Sequence, residues 1–320
     1  MRYRQLGRTG LTVSEIGFGA WGIGGVSKNV FSYGPTDDQE SKEALLRAFD
    51  AGITFYDTAD LYGDGHSEAL IGSTFKNIRQ KVIIASKAGF LGSDGRQDFS
   101  LSHLEKSLKS SLERLQTDYL DLYQLHGIPM ELLQANIGIL DFFRNLQKAG
   151  TIRAFGISVR SPEDGIRAIK EFGFQAIQAN FNMTDQRARE TGLFDLCEKE
   201  NAGIICRTPL CFGFLTGKYP AGALFHPDDH RRRWGAKQIE RWAAAYRLFR
   251  SGIHTSEAQT DAQIALRFCL SYPAVSTVIP GMLTKSHVDE NSRASVLGPL
   301  DSASLLEIER IYQENVFFIR

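Results

Sequence analysis

Cysteine is scarce in this chain: there are four in 320 residues, Cys197, Cys206, Cys211 and Cys269, with no CxxC or other metal-ligand spacing. That excludes a disulfide framework and leaves thiols expected to be reduced and packed as small hydrophobic groups. An excess of either charge is missing too, since Lys plus Arg and Asp plus Glu both number 37. General binding to nucleic acid or to an anionic membrane surface asks for a basic excess, so neither is expected. No apolar run approaches the roughly 20 residues of a membrane span. The N-terminal MRYRQLGRTGLTV lacks the apolar core of a signal peptide. With no low-complexity tract, short repeat or domain boundary, the expectation is one soluble cytoplasmic domain covering residues 1–320.

What the chain does have is alternation. Eight short apolar runs, EIGFGA, ITFYDTA, VIIASKA, YLDLYQLH, RAFGISV, AIQANF, GIICRT and VSTVIPG, are separated by longer amphipathic stretches. Those stretches carry helix signals. Thr36 with Gln39 reads as a capping box and Gly52 as a stop. Leu101, Leu104, Leu108, Leu112 and Leu115 form one stripe at three- and four-residue spacing. Ser161 followed by Pro162 opens another helix that stops near Gly173. Continuous apolar strands alternating with helices imply a parallel sheet covered by helices. Eight such units fit a closed (β/α)8 TIM barrel of α/β class. Three pieces fall outside the repeat: an N-terminal β-hairpin over Met1 to Val13 that plugs the lower end, a long loop after strand 7 from Cys211 to about Glu257, and a C-terminal extra helix over Leu300 to Val316 that lies across the barrel.

The runs end on chemistry. The second ends at Asp57, with Tyr62 five residues on; the third ends at Lys87 and the fourth at His126. Neighbouring strands lie about 4.8 Å apart, so in a barrel these four gather within roughly 10 Å, at the carboxyl ends where such folds place their sites. A free tyrosine has a pKa of about 10. An adjacent ammonium favours the phenolate, so Lys87 is expected to lower the pKa of Tyr62, with Asp57 holding Lys87 and His126 orienting a carbonyl oxygen. The set suits protonation of an oxyanion as it forms.

With GFGAW, YDTADLYGDGHSEALIG, the strand-end Lys87, LYQLHG, FGIS, IQANFN, PLCFGFLTGKY and VIPG followed by EN, the chain resembles the aldo-keto reductase family over nearly its whole length. The resemblance implies an NADP-dependent barrel oxidoreductase that reduces an aldehyde or ketone, a sugar-type carbonyl being one candidate. It needs no Rossmann fold. In that reading Tyr62 is the general acid, Asp57 and Lys87 modulate it and His126 positions the small-molecule carbonyl substrate. Ser158 and Gln178 match residues that bind the nicotinamide carboxamide; Ala20 and Trp21 lie beside the ring and the substrate pocket. Thr208, Pro209, Leu210, Gly213, Leu215, Gly217 and Lys218 match a strap over the pyrophosphate. Gly281, Thr284, His287, Glu290 and Asn291 match the adenosine end.

Departures from the family pattern stand beside these matches. Val159 replaces an asparagine, Arg207 replaces a tyrosine that stacks on the nicotinamide, and Leu283 replaces a basic residue at the 2′-phosphate. Lys285 is the candidate substitute there, so NADPH is expected with NADH as the alternative. GFGAWG matches GxGxxG, but the stretch from Ile23 to Pro35 is too rich in glycine and aromatics for the helix that motif requires. His226 and His230 are read as loop residues, not metal ligands on a helix, because Pro227 and the arginines that follow make a solvated loop. Arg231 to Arg233 read as a solvated charge run, or as part of a lid that meets a phosphate. Trp21, Phe31, Tyr33, Phe90 and Trp234 are candidates for an aromatic mouth. Two other functions fit the same residues: a Schiff-base aldolase through Lys87, and a nicotinamide-binding regulatory subunit without turnover.

Overall fold

Val, Ile, Leu or Phe recur in every one of the eight runs, as strands buried on both faces require, and all eight become strands of one parallel sheet. The computed structural model describes residues 1–27, 32–92, 94–253 and 259–319. An antiparallel hairpin, β1 (Tyr3–Gln5) and β2 (Thr12–Ser14), precedes the sheet. The sheet strands are β3 (Phe18–Gly19), β4 (Phe55–Asp57), β5 (Ile83–Ala88), β6 (Leu120–His126), β7 (Ile152–Ser158), β8 (Ala176–Asn180), β9 (Gly203–Arg207) and β10 (Val275–Val278). They are ordered in space as in sequence. Parallel bridges from Ile16 to Val278 and from Gly19 to Gly281 join the first strand to the last. The result is the (β/α)8 barrel that the alternation predicts.

The hairpin closes the lower end. Leu6, Leu11 and Val13 pack with the inward residues Phe55, Ala85, Leu122, Ala154, Ala176 and Ile205 in one buried cluster. Gly7 makes this fit possible: at its φ of +52°, a Cβ would lie 2.4 Å from the backbone nitrogen of Gly203.

Helix ends follow local chemistry. Ser100 caps Leu101–Leu115, whose Leu104, Leu108 and Leu115 are buried while Leu101 stays exposed. Pro162–Phe172 runs from the Ser161 cap to Gly173 in the left-handed conformation. The first helix, Asp38–Asp50, departs from expectation by one residue. Its cap is Asp37, whose carboxylate accepts from the Glu40 backbone N–H at 2.8 Å; an anionic acceptor suits a helix N-terminus better than the Thr36 hydroxyl.

The excursion after β9 contains a 3-10 turn, Cys211–Thr216, another at His230–Arg233, and the helix Ala236–Gly252. Its expected end at Glu257 lies outside the described residues. The last helix, Ser302–Glu314, packs against the helix Ala236–Gly252 of that excursion. Arg189 pairs with Glu309 at 2.7 Å, and Gln238 donates to the Phe317 carbonyl at 2.8 Å. No described helix is long and apolar enough to cross a membrane.

Candidate active site

Along each barrel strand every second residue points inward. Two residues beyond the apolar layer come Asp57, Lys87, Gln124, Gly156, Gln178 and Arg207, and two beyond that His126, Ser158 and Asn180. Register aligns them: Lys87 is opposite Gln124, His126 opposite Ser158, Ser158 opposite Gln178, and Asn180 opposite Arg207. The barrel interior therefore changes from apolar to polar within one step along each strand.

Asp57 is the hub of this polar layer. One of its oxygens is 2.6 Å from Lys87 Nζ; the other accepts from Gln178 at 2.7 Å and from Gln124 at 3.3 Å. Lys87 also donates to the Thr58 carbonyl at 2.7 Å, and both charged groups are buried. Burial works against the ammonium, yet Asp57 and Tyr62 hold the Lys87 pKa above the ordinary lysine value.

Lys87 Nζ lies 4.8 Å from the centre of the Tyr62 ring. Contrary to the expectation from charge alone, the Tyr62 pKa is raised. Burial, together with the Asp57 carboxylate, penalises the phenolate by more than the nearby Lys87 and Arg207 cations favour it. Tyr62 is thus a phenol at neutral pH. The loop behind it is clamped by Gly63, where a Cβ would meet the Gly24 carbonyl oxygen at 2.1 Å. His126 meets the Tyr62 ring at 6.1 Å between centres and the Phe90 ring at 4.8 Å, both edge-on. Burial, with Lys87 and Arg207 nearby, pushes its pKa well below 6.5, so the imidazole is neutral. Its Nδ1 is buried without a partner.

Asp57, Tyr62 and His126 line one end of a cavity of about 720 Å³. Trp21, Ser158, Gln178, Arg207, Thr208, Pro209, Leu210, Gly213, Lys218, Gly281, His287, Glu290 and Asn291 also line it. Ala20, Leu215, Gly217, Thr284, Lys285 and the fully buried Lys87 are not on its wall. The Ala20 carbonyl accepts from Ser67 at 2.9 Å, Leu215 belongs to the core, and Thr284 caps the helix Lys285–Leu297. Lys285 is held by Glu43 at 2.7 Å. Between Thr208 and Gly213 the backbone is strained: Thr208, Cys211 and Phe212 have φ of 54°, 45° and 57°. Such positions cost about 1–3 kcal/mol each and cluster at ligand clamps.

The HPDDHRRRW segment is a solvated run only in part: Arg232 and Arg233 are exposed as expected. Asp229, His230 and Arg231 are buried. Arg231 forms a fork on Asp229, with contacts of 2.6 to 3.1 Å, and its guanidinium lies over the rings of Tyr33, Tyr219 and Phe225 at 4.9, 4.5 and 4.4 Å. Pairing plus ring contact is what lets an arginine leave water. His230 sits among Trp21, Tyr33, Phe212 and Trp234, which pushes its pKa down to about 4, while His226 stays on the surface. Trp21, Tyr33 and Phe90 face the cavity; Trp234 instead packs on Phe212 and Trp242, and Phe31 lies outside the described residues.

Three site residues escape sequence reasoning. Gln124 is the second amide on Asp57, Asn180 accepts from both Arg207 and Thr208 at 2.5 and 2.6 Å, and Arg160 binds the Gly127 carbonyl at 2.7 Å on the cavity wall. Their signal was position, at or just past a strand end, the same signal that marks Ser158 and Gln178.

Comparison with known proteins agrees with this fold. The Aldo/keto reductase family model matches residues 15–313. The chain is 31% identical to aldo-keto reductase yakc [NADP(+)] of Schizosaccharomyces pombe, over 93% of this chain and 88% of that one. Its fold matches the holo form of aldo-keto reductase AKR11C1 from Bacillus halodurans with a TM-score of 0.80 at 28% identity, covering 97% and 96% of the two chains. It also matches glycerol dehydrogenase AKR11B4 from Gluconobacter oxydans with a TM-score of 0.81 at 25% identity, covering 99% and 97%.

Proposed function

The chain belongs to the aldo/keto reductase family, and from that premise we propose that it reduces an aldehyde or ketone to an alcohol with NADPH, using Tyr62 as the proton donor. The observation that carries this reading is the meeting of Tyr62, the Lys87–Asp57 pair and a neutral His126 at one end of an elongated cavity. The residues present fit a dinucleotide. Gln178 gives its amide N–H to Asp57, while its Oε1, which accepts from the Ser158 hydroxyl at 3.4 Å, has a second lone pair for an incoming amide. The strained loop from Thr208 to Gly213 and Lys218 suit phosphates, and His287, Glu290 and Asn291 suit the far nucleoside.

A bound reduced nicotinamide supplies the hydride. The Tyr62 hydroxyl gives its proton to the carbonyl oxygen, a contribution of about 10²–10⁴-fold for a placed general acid. The neutral His126 offers an N–H that orients the same oxygen. Lys87 stays charged and opposes any further rise in the Tyr62 pKa. A Schiff-base role suits Lys87 poorly, since that chemistry needs a neutral, reachable amine and this one is fully buried and paired. NADPH over NADH is supported by the NADP(+) in the name of the yeast relative; of the two lysines near the adenosine end, Lys218 lines the cavity but pairs with Glu290, and Lys285 pairs with Glu43. The rings of Trp21, Tyr33 and Phe90 at the mouth favour a carbonyl with extended apolar faces, a sugar-type substrate among them. Four free, buried cysteines accord with a cytoplasmic setting.

The experiment is to follow nicotinamide absorbance with purified protein, NADPH or NADH, and a panel of aldehydes, ketones and keto-sugars. NADPH-dependent turnover is expected. Tight NADPH binding without turnover of any carbonyl would make the chain a nicotinamide-binding regulatory subunit. Borohydride trapping of a substrate on Lys87 with no nicotinamide requirement would make it an aldolase.

A further inference from the structure

We propose that Arg207 makes this site bind the reduced nicotinamide more tightly than the oxidised one, and so biases the chain toward reduction when both forms compete for the site. The proposal rests on the dinucleotide reading above and concerns its direction, which relatives do not decide: one is titled a reductase and another a glycerol dehydrogenase.

The argument is one of charge. Arg207 ends β9 and reaches across the end of β8, donating to Asn180 Oδ1 at 2.5 Å and to the Val159 carbonyl at 2.9 Å. Both acceptors are neutral, and Arg207 Nε is buried without a partner. Among the described residues no carboxylate pairs with it. The two whose charges it feels are engaged elsewhere: Asp57 with Lys87 and two glutamine amides, Asp185 with both arms of Arg187 at 2.8 and 2.7 Å. Other cations at the cavity are compensated, Arg231 by Asp229 and Lys218 by Glu290. Arg160 also lacks an ion pair, but it is exposed and screened by water. With Lys87 cancelled by Asp57, and Tyr62 and His126 neutral, the catalytic end carries one uncompensated positive charge, on Arg207.

A half-buried cation with only neutral partners is costly, and its effect on the two redox forms differs in a defined direction. They carry the same phosphates and ribose groups, so contacts to those cancel in the comparison. Delivering hydride to the carbonyl carbon, with the Tyr62 proton going to the oxygen, leaves the ring one positive charge richer. Two unit charges about 8–10 Å apart at an effective dielectric of about 20 repel enough for a tenfold or larger change in affinity. The sign favours the reduced form wherever along the dinucleotide Arg207 makes its contact.

The test is to titrate NADPH and NADP⁺ separately into the wild type, Arg207→Gln and Arg207→Lys, reading tryptophan fluorescence. The wild type is expected to bind NADPH at least tenfold more tightly than NADP⁺. Arg207→Gln should lose most of that preference, mainly by gaining affinity for NADP⁺, and Arg207→Lys should keep it. Equal affinities in the wild type, or an unchanged ratio in Arg207→Gln, overturn the proposal; the wild-type ratio and Arg207→Lys decide it if Arg207→Gln does not fold. Failure of the wild type to bind either form overturns the dinucleotide reading instead.

Discussion

Lys87 Nζ lies 2.6 Å from Asp57 Oδ1, and neither group has more than a trace of solvent contact. Each charge is tolerable only because of the other, and the Tyr62 ring, 4.8 Å from the same ammonium, feels the pair as a unit. Removing one partner therefore changes both stability and the acid.

Replacing Tyr62 by Phe removes the proposed proton donor while leaving the ring that packs beside His126 and Trp21. Steady-state kinetics should show kcat down by about 10²–10⁴-fold, with the NADPH dissociation constant changed less than about threefold. In the wild type, kcat/KM should be level from near pH 6 up toward pH 10, because His126 is already neutral and Tyr62 still protonated across that range. A limb near 6.5 would show that His126 titrates normally.

For Lys87→Met the expected cost is about 3–5 kcal/mol in urea unfolding, the penalty for leaving a buried carboxylate unpaired. Adding Asp57→Asn should recover part of that stability and none of the activity. Equal stability of Lys87→Met and the wild type would mean that Asp57 takes up a proton without penalty.

Arg231→Met leaves Asp229 buried and unpaired beneath the excursion after β9, and empties the centre of the Tyr33, Tyr219 and Phe225 cluster. That strap should loosen locally while the barrel keeps its melting behaviour. NADPH release measured by stopped-flow fluorescence should quicken about tenfold or more, as local opening becomes easier. An unchanged release rate would detach this segment from cofactor retention.

Burial of Asp60 raises its pKa from 3.8 to about 7, against a lowering hydrogen bond from Ser107 at 2.5 Å. Folding therefore favours its protonated form. The associated stability is complete below pH 3.8 and is lost as the pH climbs to about 7, by roughly 4 kcal/mol at most. Asp60→Asn mimics the protonated acid, so it should gain on the wild type between pH 5 and pH 8 in denaturant melts. The same difference at both pH values would refute the shifted pKa.

Much of the site was legible because strand ends are. The apolar runs place Asp57, Lys87 and His126 at carboxyl ends, and the family resemblance adds Ser158 and Gln178. Arg231 was misread because HPDDHRRRW is polar in composition, while its burial depends on Tyr33, Tyr219 and Phe225, none of them within five residues. Lys285 was matched to the 2′-phosphate by position alone, and Glu43, 242 residues away, holds it. Gln124 and Asn180 carry no signal beyond position.

By itself the sequence determined the barrel, the hairpin plug and which side chains share its carboxyl end, since all of these follow from local periodicity and chain order. Only the tertiary structure decided the charge states: a raised Tyr62, a neutral His126, a compensated Arg231 and an uncompensated Arg207. Those depend on desolvation and on through-space partners, and neither is written in the spacing of residues along the chain.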